Sequence, residues 1–149
     1  MAIVNSVATF TGVGAQLVQR TGVAVTTAGS PQTIAVPSSG SLSPAVARGY
    51  WRAKVYNQSV ALSLTSITIT GSDGTNTVTL DNFVPAAALA ITATAFLDAC
   101  GDFLLDTTTA GGGASGSLIF GGATVINFVL VMTGAGGTAA ADVEIAAEP

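Results

Sequence analysis

Polar and apolar residues alternate one by one within the segment Ala61–Thr70, and a turn-forming segment follows directly. Successive side chains of a strand point to opposite faces of a sheet, so this period of two predicts a half-buried strand. The apolar positions change parity near Ser66, which predicts that the buried face switches there through a β-bulge. Gly71–Asn76 contains residues that tolerate a positive φ, and a hairpin is therefore predicted to join this strand to the next.

Similar short segments, separated by Gly-rich clusters, run along most of the chain. They predict about ten to twelve strands at the spacing typical of a sandwich or barrel, and no long amphipathic pattern alternates with them as a parallel α/β fold would require. The other candidate strands are Ile3–Phe10, Val13–Gln19, Gly22–Thr27, Gln32–Val36, Gly49–Asn57, Asn76–Leu80, Asp102–Thr107, Ser117–Phe120, Thr124–Thr133 and Ala141–Ala146.

The chain has 149 residues, which is the length of one domain. We predict an all-β fold: a single β-sandwich or jelly-roll-like domain over residues 1–149, with Gly/Ser/Thr-rich loops such as Thr108–Gly116. Residues 30–45 contain three prolines and several serines. This segment is predicted to be a long loop or an arm that reaches a neighbouring molecule.

Two segments permit a helix as well as a strand. Pro85–Leu97 begins with proline before an Ala-rich sequence, which suits a short helix, but Ile91–Phe96 alternates as a strand does, and we favour the strand. Leu118–Gly136 is uncharged and apolar, yet it contains Asn127 and has no flanking Lys or Arg. A buried strand at Val125–Val131 is therefore preferred to a membrane helix.

Charged residues make up only 8% of the chain, against about 25% in ordinary globular proteins. Four basic residues and a net charge of −4 are a poor footprint for nucleic acid. The chain has no histidine, the commonest general base and metal ligand, and its one cysteine excludes both an intrachain disulfide and a cysteine zinc cluster. We therefore expect no enzymatic activity, no cofactor or metal, and no nucleic-acid, membrane or small-molecule partner.

The charges are also separated along the sequence. All four basic residues precede position 55, and all eight acidic residues follow position 72. Such polarity would orient head-to-tail or ring-like contacts between copies of the chain. The alternative is that both parts intermix within one sandwich, which would remove the asymmetry.

Three aspartates surround the cysteine: Asp98, Asp102 and Asp106 follow one another at intervals of four around Cys100. On a helix they would share one face and could hold a divalent cation. Gly101 and the apolar residues beyond it argue against a helix, so aspartates that bond nearby backbone groups are preferred. Cys100 has no histidine to activate it, and we expect a buried small apolar residue.

The densest aromatic and basic stretch is a candidate interface. On a strand, Tyr50, Arg52, Lys54 and Tyr56 share one face, and Trp51 lies on the other. Tyr, Trp and Arg are favoured interface anchors, whereas the alternative is a core strand with Trp51 buried and the cationic face in solvent. The candidate interface residues are Arg48, Tyr50, Trp51, Arg52, Lys54 and Tyr56.

A second candidate interface is the uncharged run Thr107–Ala141. Its small residues lose little side-chain entropy when they are buried, so they can pack closely against a neighbouring protein.

The Ala/Gly/Thr/Ser-rich sequence, the start Met1-Ala2-Ile3-Val4, and the lack of an export signal and of a catalytic set resemble small virion proteins of tailed bacteriophages, most of all capsid decoration (cement) proteins. The resemblance spans the chain and is one of composition. It implies a β-rich, often trimeric protein clamped over junctions between major capsid subunits. The expected partners are then further copies of this chain and a major capsid protein, in a virion assembled in the host cytoplasm, with the region before residue 55 contacting the capsid.

Two other functions remain open. A self-polymerising virion subunit of a tail tube, coat or filament would share this composition and form large assemblies unaided. A carbohydrate-binding adhesive sandwich would need exposed aromatic residues, for which the cluster of Tyr50, Trp51 and Tyr56 is available.

Overall fold

The computed structural model describes residues 4–9, 16–27, 30–38, 48–72, 75, 77–92, 95–104, 125–134 and 136–148. These residues form ten strands and no helix. The strands are β1 (Val4–Thr9), β2 (Gln16–Thr26), β3 (Gln32–Val36), β4 (Arg48–Tyr56), β5 (Leu62–Ser72), β6 (Thr77–Phe83), β7 (Leu89–Ile91), β8 (Leu97–Leu104), β9 (Val125–Thr133) and β10 (Thr138–Glu148).

Two antiparallel sheets pack against each other, which confirms the predicted all-β sandwich. The first sheet has the strand order β1-β2-β10-β4-β8. The second sheet has the order β3-β9-β5-β6, and β7 pairs with the first residues of β5.

The strand pairs are nested within one another. β2 pairs with β10, β3 with β9, β4 with β8, and β5 with β6 and β7, so each pair encloses the next in sequence. Successive pairs alternate between the two sheets, and the pairings β10–β4 and β9–β5 join them side by side. A long hairpin wound over itself in this way is a jelly roll. The jelly-roll-like prediction is therefore confirmed, with β1 as an additional strand beside β2.

The core lies between the sheets and is formed by alternate residues of each strand. The ring of Trp51, which is 1% exposed, meets the ring of Phe128 edge to face, with their centroids 6.2 Å apart. Full burial of one such large apolar side chain contributes about 1.5–3 kcal/mol. The largest fully buried side chains are those of Trp51, Phe128, Ile34, Leu64, Ile67, Ile69, Ile126, Leu130, Met132 and Ile145.

A polar contact across the sandwich fixes the indole of Trp51. Its Nε1 donates a hydrogen bond to Asp81 Oδ2 on β6 at 2.6 Å. Gly101 on β8 is the register partner of Trp51, and a Cβ atom at this position would lie 2.5 Å from that carboxylate oxygen and 2.6 Å from Nε1. Glycine at 101 therefore provides the space for the indole–carboxylate pair.

The prediction for β5 and its hairpin is confirmed. Leu64 is buried before the switch and Ile67 after it, and the register with β9 shifts between Leu64 and Ser66. The turn also lies where the sequence predicted it, since Ser72 of β5 pairs with Thr77 of β6.

The sequence predicted two strands, Val13–Gln19 and Gly22–Thr27, but the structure has one long strand there, β2 (Gln16–Thr26). Gly22 lies at the expected break with a φ of +64°. Its N–H donates a 2.8 Å hydrogen bond to Asp142 Oδ1, at the point where the register between β2 and β10 shifts. The bulge lets the ladder continue past the glycine, so the prediction of two strands was wrong.

Within Pro85–Leu97 the structure has the short strand β7 (Leu89–Ile91), so the preference for a strand over a helix is confirmed there, but the strand ends at Ile91 and does not follow the alternation of Ile91–Phe96. The N–H of Ala95 donates to the carbonyl of Thr92 in a turn. The buried side chain of Gln58 donates to the carbonyls of both residues. β8 then begins at Leu97, well before the predicted start at Asp102.

Other predictions fall partly beyond the description. In the segment 30–45, residues 32–36 form β3 as predicted, and residues 39–45 lie outside the described residues. The predicted strand Ser117–Phe120, the connection Thr108–Gly116 and Asp106 also lie outside the described residues. The strand preferred at Val125–Val131 is confirmed by β9. In the described part of the chain, no helix has the length and apolar character that crossing a membrane requires.

Candidate protein–protein interface

The two outer faces of the sandwich differ in charge. Among the described residues, no charged side chain lies at an outward-facing position of the second sheet. The chain has four basic and eight acidic residues. Six of these twelve lie on the outer face of the first sheet: Arg52, Lys54, Asp98, Asp102, Asp142 and Glu144.

Opposite charges alternate across the first sheet. The basic strand β4 lies between the acidic strands β10 and β8, with Arg52 beside Glu144 and Lys54 between Asp142 and Asp98. Arg52 forms a two-pronged contact with Asp98, from Nε to Oδ1 at 2.8 Å and from Nη2 to Oδ2 at 2.5 Å. This hydrogen bond holds the pKa of the Asp98 carboxyl below its usual range. The basic and acidic parts of the chain thus intermix within one sheet, as the alternative drawn from the sequence has it, and the separation of charges along the sequence does not give the described part of the molecule a basic and an acidic end.

Two further contacts hold polar side chains of this face. Tyr56 donates its hydroxyl hydrogen to Asp142 Oδ1 at 2.8 Å, and this bond raises the pKa of the phenol. Lys54 Nζ lies 4.8 Å from the ring centroid of Phe96, whose side chain is 61% exposed. A depression of about 210 Å³ lies between β2, β10 and β4, lined by Gln19, Thr21, Arg52, Lys54, Asp142, Val143 and Glu144. The first sheet therefore presents a charged face with two basic and four acidic side chains, several of which are held by ion pairs and hydrogen bonds within the face.

The candidate interface residues of β4 are divided between core and surface. Tyr50, Arg52, Lys54 and Tyr56 lie on the outer face, where partial burial and a hydrogen bond to Cys100 raise the pKa of Tyr50. Trp51 is buried in the core, which agrees with the alternative that β4 is a core strand, so its side chain is not part of the outer surface. The backbone of Arg48 pairs with Glu148 and Leu104, and its side chain lies outside the described residues. A partner for the outward residues of β4 stays a prediction.

β8 corrects two expectations about the acidic segment. Asp98, Cys100 and Asp102 occupy alternate positions of one strand and share its outer face. Cys100 is exposed, because Ala99 and Gly101 take the inward positions, so the prediction of a buried thiol was wrong. Asp98 binds the guanidinium of Arg52 and not a backbone group. Within the described ranges, no group of three His, Cys, Asp or Glu residues could hold a metal ion.

The outer face of the second sheet is lined by Thr, Asn, Val and Ala. Val129 of β9 lies between Thr33 of β3 and Thr68 of β5. Thr68 Oγ1 in turn donates to Asn82 Oδ1 on β6 at 3.0 Å. We call this surface the uncharged face; its residues are Thr33, Ala35, Thr68, Thr70, Thr79, Asn82, Asn127, Val129 and Val131.

Sequence reasoning found only part of the uncharged face. The run Thr107–Ala141 contains the β9 residues, whereas residues 107–124 lie outside the description. The positions on β5 and β6 were missed. Their signal is that the outward positions of a recognisable strand, such as Thr68 and Thr70, carry Thr or Ser in place of Lys or Glu.

Burial of the two faces would have different energetic consequences. Transfer of an ion out of water costs several kcal/mol even after relaxation, so the first sheet is costly to cover unless the partner supplies groups that pair with its charges. Val and Thr lose little side-chain freedom on a sheet, and the methyl groups gain from leaving water. Burial of the uncharged face therefore removes no ionised side chain of the described residues from water, whereas burial of the charged face would.

The edges of the second sheet are obstructed. Arg20 of β2 reaches across the sandwich and donates from Nη1 to the carbonyl of Ala35 on the edge strand β3, at 3.0 Å. A charge held beside an edge strand opposes the addition of a further strand, because that strand would have to cover the charge. At the opposite edge the register between β5 and β6 shifts near Ile69, and residues 84–88 interrupt the edge between β6 and β7. Contact through the face is thus favoured over extension of the sheet.

No family model matches the chain, and no curated protein matches it. Among solved structures, the chain is similar to a chain in the structure of the infectious bursal disease virus Gx strain, with a TM-score of 0.40 and 16% sequence identity. The match covers 96% of this chain and 33% of that chain, so the present chain spans about a third of its length.

Proposed function

We propose that this chain is a structural protein of a virion, and that it decorates and stabilises a tailed-bacteriophage capsid through multivalent protein–protein contacts. The observation that carries the proposal is the uncharged face, which can be buried against a neighbouring subunit without desolvating a charge, provided that its Thr and Asn side chains keep hydrogen-bond partners. The jelly-roll topology supports it, because viral capsid proteins use this architecture, as lectins and cupins also do.

In this proposal the uncharged face and the charged face have different roles. The uncharged face packs against a neighbouring protein subunit, and the charged face of the first sheet keeps contact with water or with polar groups of the capsid. Many weak contacts of this kind, repeated over a shell, add up through multivalency and resist the separation of capsid subunits. The role is mechanical and includes no catalytic step, and it places the protein in a virion assembled in the host cytoplasm.

Binding to capsids tests the proposal. Particles of the phage that encodes this chain, assembled without it, are mixed with purified protein, and occupancy is measured after sedimentation. Wild-type protein should saturate the particles, whereas Val129→Lys on the uncharged face should reduce the apparent affinity at least tenfold, about 1.4 kcal/mol or more. Thr21→Lys adds the same charge to the first sheet and serves as the matched control. Equal binding by both variants, or no binding of the wild type, contradicts the proposal.

The solution mass of the wild type distinguishes decoration from self-polymerisation. Sedimentation at several concentrations should give a discrete species of a few chains at most, as expected of a component that waits for a preformed shell. Very large polymers formed by the purified protein alone would make the chain a tube, coat or filament subunit and would overturn the decoration role.

A further inference from the structure

We propose that a second copy of this chain covers the uncharged face, sheet against sheet about a two-fold axis, and that the free protein is a dimer. This inference rests on the proposed function, because both require the uncharged face to be buried. It names a second copy of this chain as the neighbouring subunit that buries that face.

The area of the face suits such a contact. Its four strands contain 5 (β3), 9 (β9), 11 (β5) and 7 (β6) residues. With a rise of about 3.3 Å per residue and a strand spacing of about 4.8 Å, the face covers about 500 Å² as a plane. Two copies would bury about 1,000 Å² in total, which is the area that a biological interface should reach.

The distribution of charge favours a second copy as the occupant. A copy of the same face brings no charge that would need a counter-ion, and its rows of Val and Thr can interdigitate with the same rows of its neighbour, as the inner faces of a sandwich do. In the resulting dimer, both outer layers are first sheets. Each of them carries the six charges of Arg52, Lys54, Asp98, Asp102, Asp142 and Glu144. The dimer thereby gains the charged surface that the single chain has on one side only.

The arrangement also closes at two copies. Each chain uses its one uncharged face once, and a contact between identical patches is isologous. At the edges of the second sheet, Arg20 and the interrupted β6–β7 edge oppose growth through strand pairing. The inference therefore replaces the trimer implied by the resemblance with a two-fold dimer.

Charge complementation tests the inference. Val129 lies on a central strand of the face, so the two copies of this side chain come close to the two-fold axis. Wild-type protein should sediment at twice the chain mass of 14.6 kDa. Val129→Lys and Val129→Asp alone should each raise the dissociation constant at least tenfold, and an equimolar mixture of the two should restore the dimer. Thr21→Lys, on the charged face, should remain dimeric.

Each other outcome overturns the dimer in a distinguishable way. A wild type that stays monomeric at all concentrations excludes the second copy, and if it still binds capsids through Val129 the proposed function stands. Variants that dimerise like the wild type exclude this face, and a trimer, or a mixture that stays monomeric, excludes the two-fold arrangement. Circular dichroism verifies that each variant is folded. Thr68→Lys and Thr68→Asp, on the neighbouring strand, repeat the test should either Val129 variant unfold.

Discussion

The hydrogen bond between Trp51 and Asp81 can be broken without changing either residue. A methyl group at position 101 would lie 2.5 Å from Asp81 Oδ2 and 2.6 Å from Trp51 Nε1, so Gly101→Ala must push the two groups apart. A hydrogen bond to a charged group contributes about 1.5–3 kcal/mol. Alanine in place of glycine within a strand returns about 0.5–1 kcal/mol. The free energy of unfolding should therefore fall by about 0.5–2.5 kcal/mol, before any cost of moving the indole.

Trp51 is the only tryptophan of the chain, so its fluorescence reports directly on the core. Urea titrations of the wild type, Gly101→Ala, Asp81→Asn and the double variant form a double-mutant cycle. Asp81→Asn keeps an acceptor oxygen but removes the charge, so it should lose part of the same contribution. The two losses should not add in the double variant, because Gly101→Ala has already broken the bond that Asp81→Asn weakens.

Two results would refute this reasoning. One is a Gly101→Ala protein as stable as the wild type, since the close contacts would then relax without loss of the hydrogen bond. The other is additivity of the two losses to within about 0.3–0.5 kcal/mol, which is the behaviour of independent sites. In that case the space at position 101 and the carboxylate of Asp81 would act separately.

Two further predictions concern charged residues. Arg52 lowers the folded-state pKa of Asp98, so the pair stabilises the fold above about pH 4, and this contribution is lost as the pH falls through the lowered pKa. The difference in unfolding free energy between the wild type and Asp98→Asn, measured by urea titration, should therefore shrink on acidification and with added salt. A difference that does not change with pH would contradict this prediction. Arg20→Met should remove the positive charge beside the β3 edge and increase aggregation, measured as light scattering on incubation, whereas Arg20→Lys keeps the charge and should not. Equal scattering by the wild type and both variants would show that Arg20 does not protect this edge from aggregation.

Features decided within a few residues could be predicted from the sequence. The parity change at Ser66 and the turn at Gly71–Asn76 depend only on local alternation and on residues that tolerate a positive φ, and both are present. The prediction of a strand break at Gly22, which also rested on local sequence, was wrong. There, a glycine in the left-handed region marks a bulge held by Asp142, which is distant in sequence, and not the end of a strand.

Features that depend on strand neighbours could not be predicted. Alternation gave the outward positions of β4 correctly, but whether Trp51 faces core or solvent depends on which side the other sheet covers. The uncharged face is likewise formed from β3, β9, β5 and β6 only when these strands lie side by side. Thr33, Val129 and Thr68 meet across long stretches of sequence, and no local pattern encodes their register.

The central position of β10 determines when the protein can fold during its synthesis. β10 lies between β2 and β4 although it follows both in sequence, and Thr138 pairs with Thr26. The ribosome makes the two flanking strands long before their common neighbour, so the first sheet has a gap until β10 emerges. Native folding is therefore a late event that depends on long-range pairing, and such pairing is intrinsically slow and open to aggregation. Until β10 has been made, β2 and β4 keep open edges that a chaperone or another nascent chain can occupy.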